Sequence, residues 1–271
     1  MPIQTIEPRR LYRQIADQLR ALIGHGEFAL GARLPPERDL AQQLGVSRPS
    51  VREALIALEV EGIVEVRMGS GIYVRQPDGP APRDTRGSAN LNDAEGPLET
   101  IRARQLIEAE LAAIAAQQMK KAQVAGLREA IALMEQDVAA GRMPTAGDRL
   151  FHTRIAAAAE NSVLLRVVTS LFDERHNPLF AQFGSHFENA RSWTIAIAEH
   201  RAVVDAIAAH SPEAARDAMA THLARSHDRF TATFANSQAK LHRTDAEPAD
   251  SRREKKPARP LRSSAPSAPV R

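Results

Sequence analysis

The segment 34–74 constrains the fold of this chain more than any other part of it. It has the sequence LPPERDLAQQLGVSRPSVREALIALEVEGIVEVRMGSGIYV. Two apolar stripes at helical spacing are separated by Gly45, a residue that readily adopts the positive φ of a tight turn. Ser47 is a natural N-cap for the second helix, and Pro49 sits in its first turn. Two short alternating runs then flank a glycine-rich turn, which predicts a β-hairpin. This order of elements predicts a winged helix-turn-helix.

The start of the second helix carries the groups that a DNA-reading helix needs. Helices of this kind enter the major groove by their N-terminal end. An arginine there can hold guanine O6 and N7 with two hydrogen bonds, while small hydroxyls suit phosphate contacts. Glycines in the hairpin turn let the backbone pass close to DNA. The predicted DNA-contacting residues are Arg38, Ser47, Arg48, Ser50, Arg52 and Gly69. We therefore predict a DNA-binding domain over residues 8–76.

The rest of the chain divides into three segments by composition. Residues 77–95 are rich in Pro, Gly, Asp and Asn, which predicts a linker. Residues 96–232 are almost entirely helical in pattern, and the chain has only 4% aromatic residues. Residues 233–271 are Pro-rich and hold nine Lys or Arg against four Asp or Glu, so we expect a disordered basic tail. The predicted fold class is mainly α: an N-terminal winged helix-turn-helix and a C-terminal all-α antiparallel helical bundle.

Composition excludes several classes of protein. The chain has no cysteine, which rules out a disulfide framework and a thiolate metal site. No apolar run approaches the ~20 residues of a membrane-spanning helix, and the N-terminus lacks the apolar core of a secretory signal. The net charge is only +3, so DNA binding depends on where individual arginines are placed. We expect a cytoplasmic, bacterial, nucleoid-associated protein without membrane contact.

Four side chains of the helical segment have the spacing of a metal site. Asp148 and His152 are four residues apart on one predicted helix, so they point the same way. His200 lies 11 residues before Ser211, the start of a predicted turn, and His222 lies 11 residues after it. In an antiparallel hairpin these two histidines lie at the same height. Three imidazoles and a carboxylate inside a bundle predict a divalent-metal site, with zinc favoured and nickel or manganese admissible.

The first part of the chain resembles a known family of regulators. LPPERDLAQQLGVSRPSVREAL followed by a GSG turn is similar to the DNA-binding domain of the GntR family of bacterial transcription regulators, over about residues 10–75. By position, the resemblance places the six residues named above on the DNA-contacting positions of the family. Such regulators bind short palindromes as dimers, so the resemblance implies a homodimer and palindromic operator DNA as its partner.

Residues 98–232 resemble the FCD effector domain of the FadR-type branch of that family. The marks of the resemblance are RARQLIEAE, which contains Arg104, together with the four metal-site residues and Asn161. It implies a bundle of six or seven helices that dimerises and binds a metal in its central cavity. A small carboxylic acid would bind at the metal, with Arg104 and Asn161 as effector-binding residues. GPLETIRARQLIEAELA and RHNPLF are most similar to regulators that respond to hexuronates, which implies a sugar acid as the effector.

Three functions are compatible with these patterns. The preferred one is a transcription factor, a repressor, that a small carboxylic acid releases from operator DNA, although the same architecture also allows an activator. The second is a constitutive DNA-binding regulator whose metal is purely structural. The third is a metal-dependent enzyme, but no glutamate or histidine is placed as an obvious general base, and the DNA-binding domain would have no role. We therefore predict a regulator and not an enzyme.

Overall fold

The computed structural model describes residues 10–75 and 94–231 of the chain. The predicted tail, 233–271, lies outside the described residues, as does the predicted linker, 77–95, apart from its last two positions. The first range contains α1 (Leu11–Gly24), α2 (Glu37–Leu44), α3 (Arg48–Val60), β1 (Val64–Arg67) and β2 (Gly71–Val74). The second range contains α4 (Pro97–Gln118), α5 (Lys121–Ala139), α6 (Thr145–Ala157), α7 (Ser162–Asp173), a 3-10 turn (Glu174–His176), α8 (Pro178–Phe187), α9 (Ala190–Ala208) and α10 (Pro212–Thr231). None of the described helices is long and apolar enough to cross a membrane.

The first range forms the predicted winged helix-turn-helix. Gly45 ends α2 with a φ of 66°, the left-handed conformation that the tight turn requires. The Ser47 hydroxyl oxygen caps α3 by accepting a hydrogen bond from the backbone N–H of Ser50 at 3.3 Å. β1 and β2 pair antiparallel, with Val66 opposite Ile72. α3 is the predicted DNA-reading helix, or recognition helix. Its apolar stripe packs on α1 and is completely buried, which fixes α3 in its domain.

The second range is an all-α bundle, as predicted, with seven α-helices in the part that the structure describes. α4 and α9 both pack along α10, and α5 packs against α6 and α9. The core of the bundle is apolar and includes Leu127, Phe151 and Met219, each without solvent exposure. The turn between α9 and α10 gives the antiparallel hairpin that the sequence predicts around Ser211. This hairpin brings α9 and α10 side by side with α6 and α4, and so builds the site.

The recognition helix α3 docks directly onto the helical bundle. Glu53 lies outside the apolar stripe of α3, yet its side chain is buried, and its Oε1 accepts a hydrogen bond from the backbone N–H of Leu98 at 2.9 Å. Glu53 therefore satisfies a donor at the start of α4, where helices lack internal acceptors. Burial raises the pKa of Glu53 to about 7. Farther along α3, Glu59 Oε2 lies 2.6 Å from His186 Nε2 of α8, so His186 takes part in the contact between α3 and the helical bundle.

Candidate metal centre and DNA-facing groove

The four predicted metal-site residues meet inside the bundle. α6 supplies Asp148 and His152, α9 supplies His200, and α10 supplies His222; one donor atom from each lies within 4.8 Å of all the others. His200 Nε2 lies 3.1 Å from Asp148 Oδ1 and 3.2 Å from His152 Nε2. All four side chains are buried. This donor set fits a divalent ion that accepts nitrogen and oxygen ligands.

Each imidazole of the site is oriented through its other ring nitrogen. His152 Nδ1 contacts Glu108 Oε2, and His222 Nδ1 lies 3.0 Å from Glu199 Oε2. His200 Nδ1 lies 2.7 Å from a backbone carbonyl oxygen one turn earlier in α9. When Nδ1 carries the proton, Nε2 is left as the ligand atom, and partners of this kind orient the ring and raise its basicity as a ligand. Neither Glu108 of α4 nor Glu199 of α9 is among the predicted site residues.

Three of the four residues have pKa shifts that suit a metal. His152 is the exception: burial lowers the pKa of His152, but the Glu108 carboxylate outweighs burial and raises it. Burial opposes the ionisation of Asp148, but hydrogen bonds from His152 and His200 hold its pKa well below the usual range. Burial lowers the pKa of His200. Burial, with the neighbouring imidazoles, lowers the pKa of His222 well below its usual value. An ionised carboxylate and neutral imidazoles are the forms that coordinate a cation.

A cleft beside the four ligands forms the candidate effector pocket. Its cavity volume, measured for the centre of a water-sized sphere, is about 30 Å³; all the space between its atoms, including the part open to solvent, is about 420 Å³. Asp148 and His222 contribute to its wall, so the cleft opens directly onto the metal site. Arg104, Arg175 and Arg229 also line it, which makes it a place for an anion. Arg104 is a predicted effector-binding residue; Arg175 and Arg229 are not, since no local pattern connects them to the histidines.

Arg104 presents a hydrogen-bond donor without an acceptor in this pocket. Its side chain is 3% exposed, and its Nε donates to Glu108 Oε1 at 2.7 Å. Its Nη2 is buried and has no hydrogen-bond partner among the described residues. A buried guanidinium N–H without an acceptor costs free energy, so a ligand that supplies one is favoured here. A carboxylate is the planar acceptor that guanidinium groups bind best.

Asn161 does not line the pocket. It is exposed at the start of α7, where its Oδ1 accepts hydrogen bonds from the backbone N–H groups of Val163 at 3.0 Å and Leu164 at 3.1 Å. Asparagine is among the preferred residues for this capping position. The prediction that Asn161 binds the effector therefore does not fit this structure, because a helix cap explains the residue.

A second cleft lies between the start of α2, the start of α3 and the turn of the wing. Three of the predicted DNA-contacting residues, Arg38, Arg48 and Gly69, line it. The Arg38 side chain is 80% exposed and that of Arg48 is 46% exposed. Ser47 and Ser50 lie beside Arg48 at the start of α3, with their hydroxyl oxygens 2.8 Å apart. Three of the six predicted residues thus line one groove, and its two predicted arginines are exposed.

Arg33 also lines this groove and was missed by the sequence analysis. It precedes α2 on an extended segment that forms an isolated bridge with Tyr73 of β2. A Cβ added at Gly71 would lie 2.5 Å from Arg33 Nε, and the φ of Gly71 is 128°. Glycine at this position therefore gives the arginine room to cross the wing. The glycine-rich turn was the available signal for such a close approach.

Arg52 is the predicted DNA-contacting residue that does not face this groove. Its side chain is 1% exposed. Nε donates to Glu37 Oε1 at 2.8 Å, and Nη2 donates to Glu37 Oε2 at 2.6 Å. Nη1 donates to the carbonyl oxygen of Phe230, near the end of α10, at 3.0 Å. The guanidinium carbon also lies 5.7 Å from the ring centroid of Phe187. In this arrangement Arg52 cannot contact DNA, because the helical bundle covers its face of α3.

Comparison with known proteins assigns the family. Residues 11–74 match the family model described as bacterial regulatory proteins, gntR family, and residues 99–225 match the FCD domain. The Uxu operon transcriptional regulator of Escherichia coli (strain K12) is 37% identical over 221 residues, which cover 79% of this chain and 84% of the relative. The chain belongs to the gntR family of bacterial regulatory proteins. It lies in the branch of that family that carries an FCD domain.

A second relative agrees with this membership in the GntR family. The Exu regulon transcriptional regulator of Escherichia coli (strain K12) is 39% identical over 229 residues, covering 82% of this chain and 84% of the relative. Among solved structures, Streptococcus agalactiae GntR matches with 27% identity and a TM-score of 0.42, covering 80% of this chain and 99% of that one. With both domains and these relatives, this GntR protein is a DNA-binding transcriptional regulator and not an enzyme.

Proposed function

We propose that this GntR regulator is a homodimeric repressor, released from palindromic operator DNA by a sugar acid such as a hexuronate bound at a metal in the FCD domain. The observation that carries the proposal is the buried, unpartnered Nη2 of Arg104, in a cleft that opens onto the His₃Asp group. A guanidinium donor and a cation site in one cleft favour a carboxylate ligand. The similarity to the Uxu and Exu regulators supports a sugar acid over other acids.

Different residues of the pocket would bind the metal ion and the carboxylate of such an acid. Asp148 and the three histidines would hold the divalent ion, which supplies a positive charge and Lewis acidity toward a carboxylate when bound. Arg104 orients the carboxylate through its buried N–H groups, and Glu108 holds Arg104 in place at 2.7 Å. Arg229, tied to Glu199 at 3.1 Å, adds positive charge on the opposite helix. A bound acid would displace water from the cleft and so strengthen each of these interactions.

Two wall residues of the pocket also contact the recognition helix. Phe187 and Phe230 line the effector cleft, and both contact Arg52 of α3. An acid in the cleft would stabilise the packing of these two rings, and with it the arrangement in which Arg52 is buried. Operator DNA would favour an arrangement in which Arg52 is exposed. The effector shifts this equilibrium only as far as its affinities for the two arrangements differ, typically by ~1–3 kcal/mol.

A thermal-shift panel tests the proposed function. Metal-loaded protein is heated with hexuronates, aldonates, dicarboxylates, lactate and fatty acids, each with and without a chelator. A ligand at about 100 times its dissociation constant adds about 2.7 kcal/mol to the free energy of unfolding, which is easily detected. We expect a sugar acid to give a shift that the chelator removes, and to lower operator affinity in fluorescence anisotropy. No shift with any acid would favour a constitutive regulator with a structural metal.

Replacing Glu37 with glutamine is expected to strengthen operator binding and weaken the response to the effector. Both carboxylate oxygens of Glu37 hold Arg52, and Oε2 lies 4.0 Å from Arg48. Hydrogen bonds between charged groups contribute about 1.5–3 kcal/mol, so their loss should raise operator affinity roughly 10-fold. Fluorescence anisotropy with labelled operator DNA, with and without a hexuronate, measures both effects.

Asp39→Asn is the matched control for this change. Asp39 lies on the same helix, and its carboxylate pairs with exposed Arg38 at 3.1 Å instead of with Arg52. It removes the same negative charge near the DNA and leaves the Arg52 contacts intact. If Glu37→Gln and Asp39→Asn had equal effects on operator affinity and on effector response, the proposed role of buried Arg52 would be wrong.

A further inference from the structure

Trp193 places a second donor without an acceptor in the effector pocket. Its side chain is 6% exposed, and it lines the cleft near the metal-site residues. Its indole Nε1 is buried and, within the described part of the chain, has no hydrogen-bond partner. A buried indole N–H normally finds an acceptor, so its presence here indicates a ligand that brings one.

The position of Trp193 separates its donor from the carboxylate end of the cleft. Trp193 and His200 are seven residues apart on α9, which is two turns and about 10 Å along one helix face. The Arg175 guanidinium lies 5.8 Å from the Trp193 ring centroid and donates to Glu188 at 2.8 Å. The same guanidinium lies 4.0 Å from Asp148 Oδ2. Arg175 therefore orients the indole ring and links it to the metal site.

We propose that Trp193 determines specificity by donating its indole N–H to an oxygen on the carbon chain of the acid. This inference rests on the proposed function, because it assumes that the carboxylate of the ligand lies at Arg104 and the metal. A site that hydrogen-bonds a ligand oxygen rejects the analogue without it, since its own polar group is then left buried and unpaired. The pocket selects hydroxylated acids of several carbons and rejects unsubstituted acids of the same length.

A single indole signal tests the contact directly. Trp193 is the only tryptophan of the 271-residue chain, so the indole N–H region of a ¹⁵N NMR spectrum reports on this residue alone. Metal-loaded, full-length protein is titrated with glucuronate and, separately, with hexanoate. We expect glucuronate to move the indole N–H signal downfield, as a new hydrogen bond does, and hexanoate to leave it in place. Binding of glucuronate with an unmoved indole signal would overturn the inference.

Trp193→Phe tests the energetic consequence. Phenylalanine keeps an aromatic ring in the cleft and removes the donor. Calorimetric titration should show a loss of affinity for glucuronate of about 5- to 10-fold, the usual size for one hydrogen bond. The affinity for hexanoate should stay the same or rise, because the variant has no indole N–H that hexanoate leaves unpaired. Equal losses for both acids would mean that the ring acts only through packing, and the inference would be wrong.

Phe187→Leu is the control variant, because Phe187 lines the same cleft and carries no donor. This variant should lower the affinities for glucuronate and for hexanoate by the same factor. The outcomes also separate this inference from the function on which it rests. Chelator-sensitive binding of glucuronate that Trp193→Phe leaves unchanged would remove only the role of Trp193. Failure of metal-loaded wild-type protein to bind either acid would remove the proposed function as well.

Discussion

Replacing His222 with alanine is expected to weaken metal binding by at least about 100-fold and to abolish the response of operator binding to a sugar acid. His222 lies on α10, its Nδ1 is 3.0 Å from Glu199 Oε2, and it also lines the effector cleft. Removal of an outer partner of a metal ligand already costs about 10- to 100-fold in affinity, so loss of the ligand itself costs more. Mass spectrometry after dialysis measures the metal content. Fluorescence anisotropy with labelled operator DNA measures the response to the sugar acid.

His227→Ala provides the control on the same helix. His227 lies five residues after His222, its side chain is 25% exposed, and its Nδ1 is 3.9 Å from the Asp228 carboxylate. It should keep the metal and the full effector response. If His222→Ala also kept both, the four residues would not form the effector's metal site. If it lost the metal and kept the response, the acid would bind without help from the metal.

Replacing Arg48 with alanine is expected to reduce operator affinity by about 10- to 100-fold. This corresponds to ~1–3 kcal/mol, the discrimination supplied by one bidentate arginine–guanine contact. Arg48 lines the groove between α2, α3 and the wing, and its side chain is 46% exposed. The loss should be greatest on the preferred operator, so that the preference over altered sequences becomes weaker. Anisotropy titrations on operator DNA and on variants with single base-pair changes measure this preference.

Arg166→Ala removes the same charge from α7 at an exposed position outside the DNA-binding domain, and should leave operator affinity nearly unchanged. An equal loss on every DNA sequence for Arg48→Ala would assign Arg48 to a phosphate and not to a base. An unchanged affinity would exclude Arg48 from the DNA interface altogether.

The sequence predicts those parts of the fold and site that depend on local spacing. Gly45 and Ser47 determine the turn and the cap of the recognition helix, because the positive φ and the N-cap are properties of single residues. Asp148 and His152 face the same way because they are four apart on one helix. His200 and His222 meet because the turn at Ser211 lies midway between them. These relations need no knowledge of how distant segments pack.

The errors arise where distant segments meet. On its own helix, Arg52 looks like a DNA-contacting residue, but α10 covers that face of α3 and accepts a hydrogen bond from it. Glu53 is buried because the start of α4 packs against it. Glu199 and Arg175 join the site through neighbouring helices and have no sequence pattern that connects them to the histidines. Asn161 is expected at the effector only because of the resemblance, whereas in the structure it caps α7.

The buried carboxyl group of Glu53 makes the docking of the two domains a protonation equilibrium. Burial beside the start of α4 raises the pKa of this group from its usual value of 4.5 to about 7. Between about pH 4.5 and 7 the docked form holds a proton that the exposed carboxyl group would lose, and separation of the domains releases it. The contribution of Glu53 to docking is therefore complete below about pH 4.5, falls as the pH rises from 4.5 to about 7, and is lost above that value. In the proposed scheme, acidification and effector would act in the same direction, and a mildly acidic cell interior would help the acid to relieve repression.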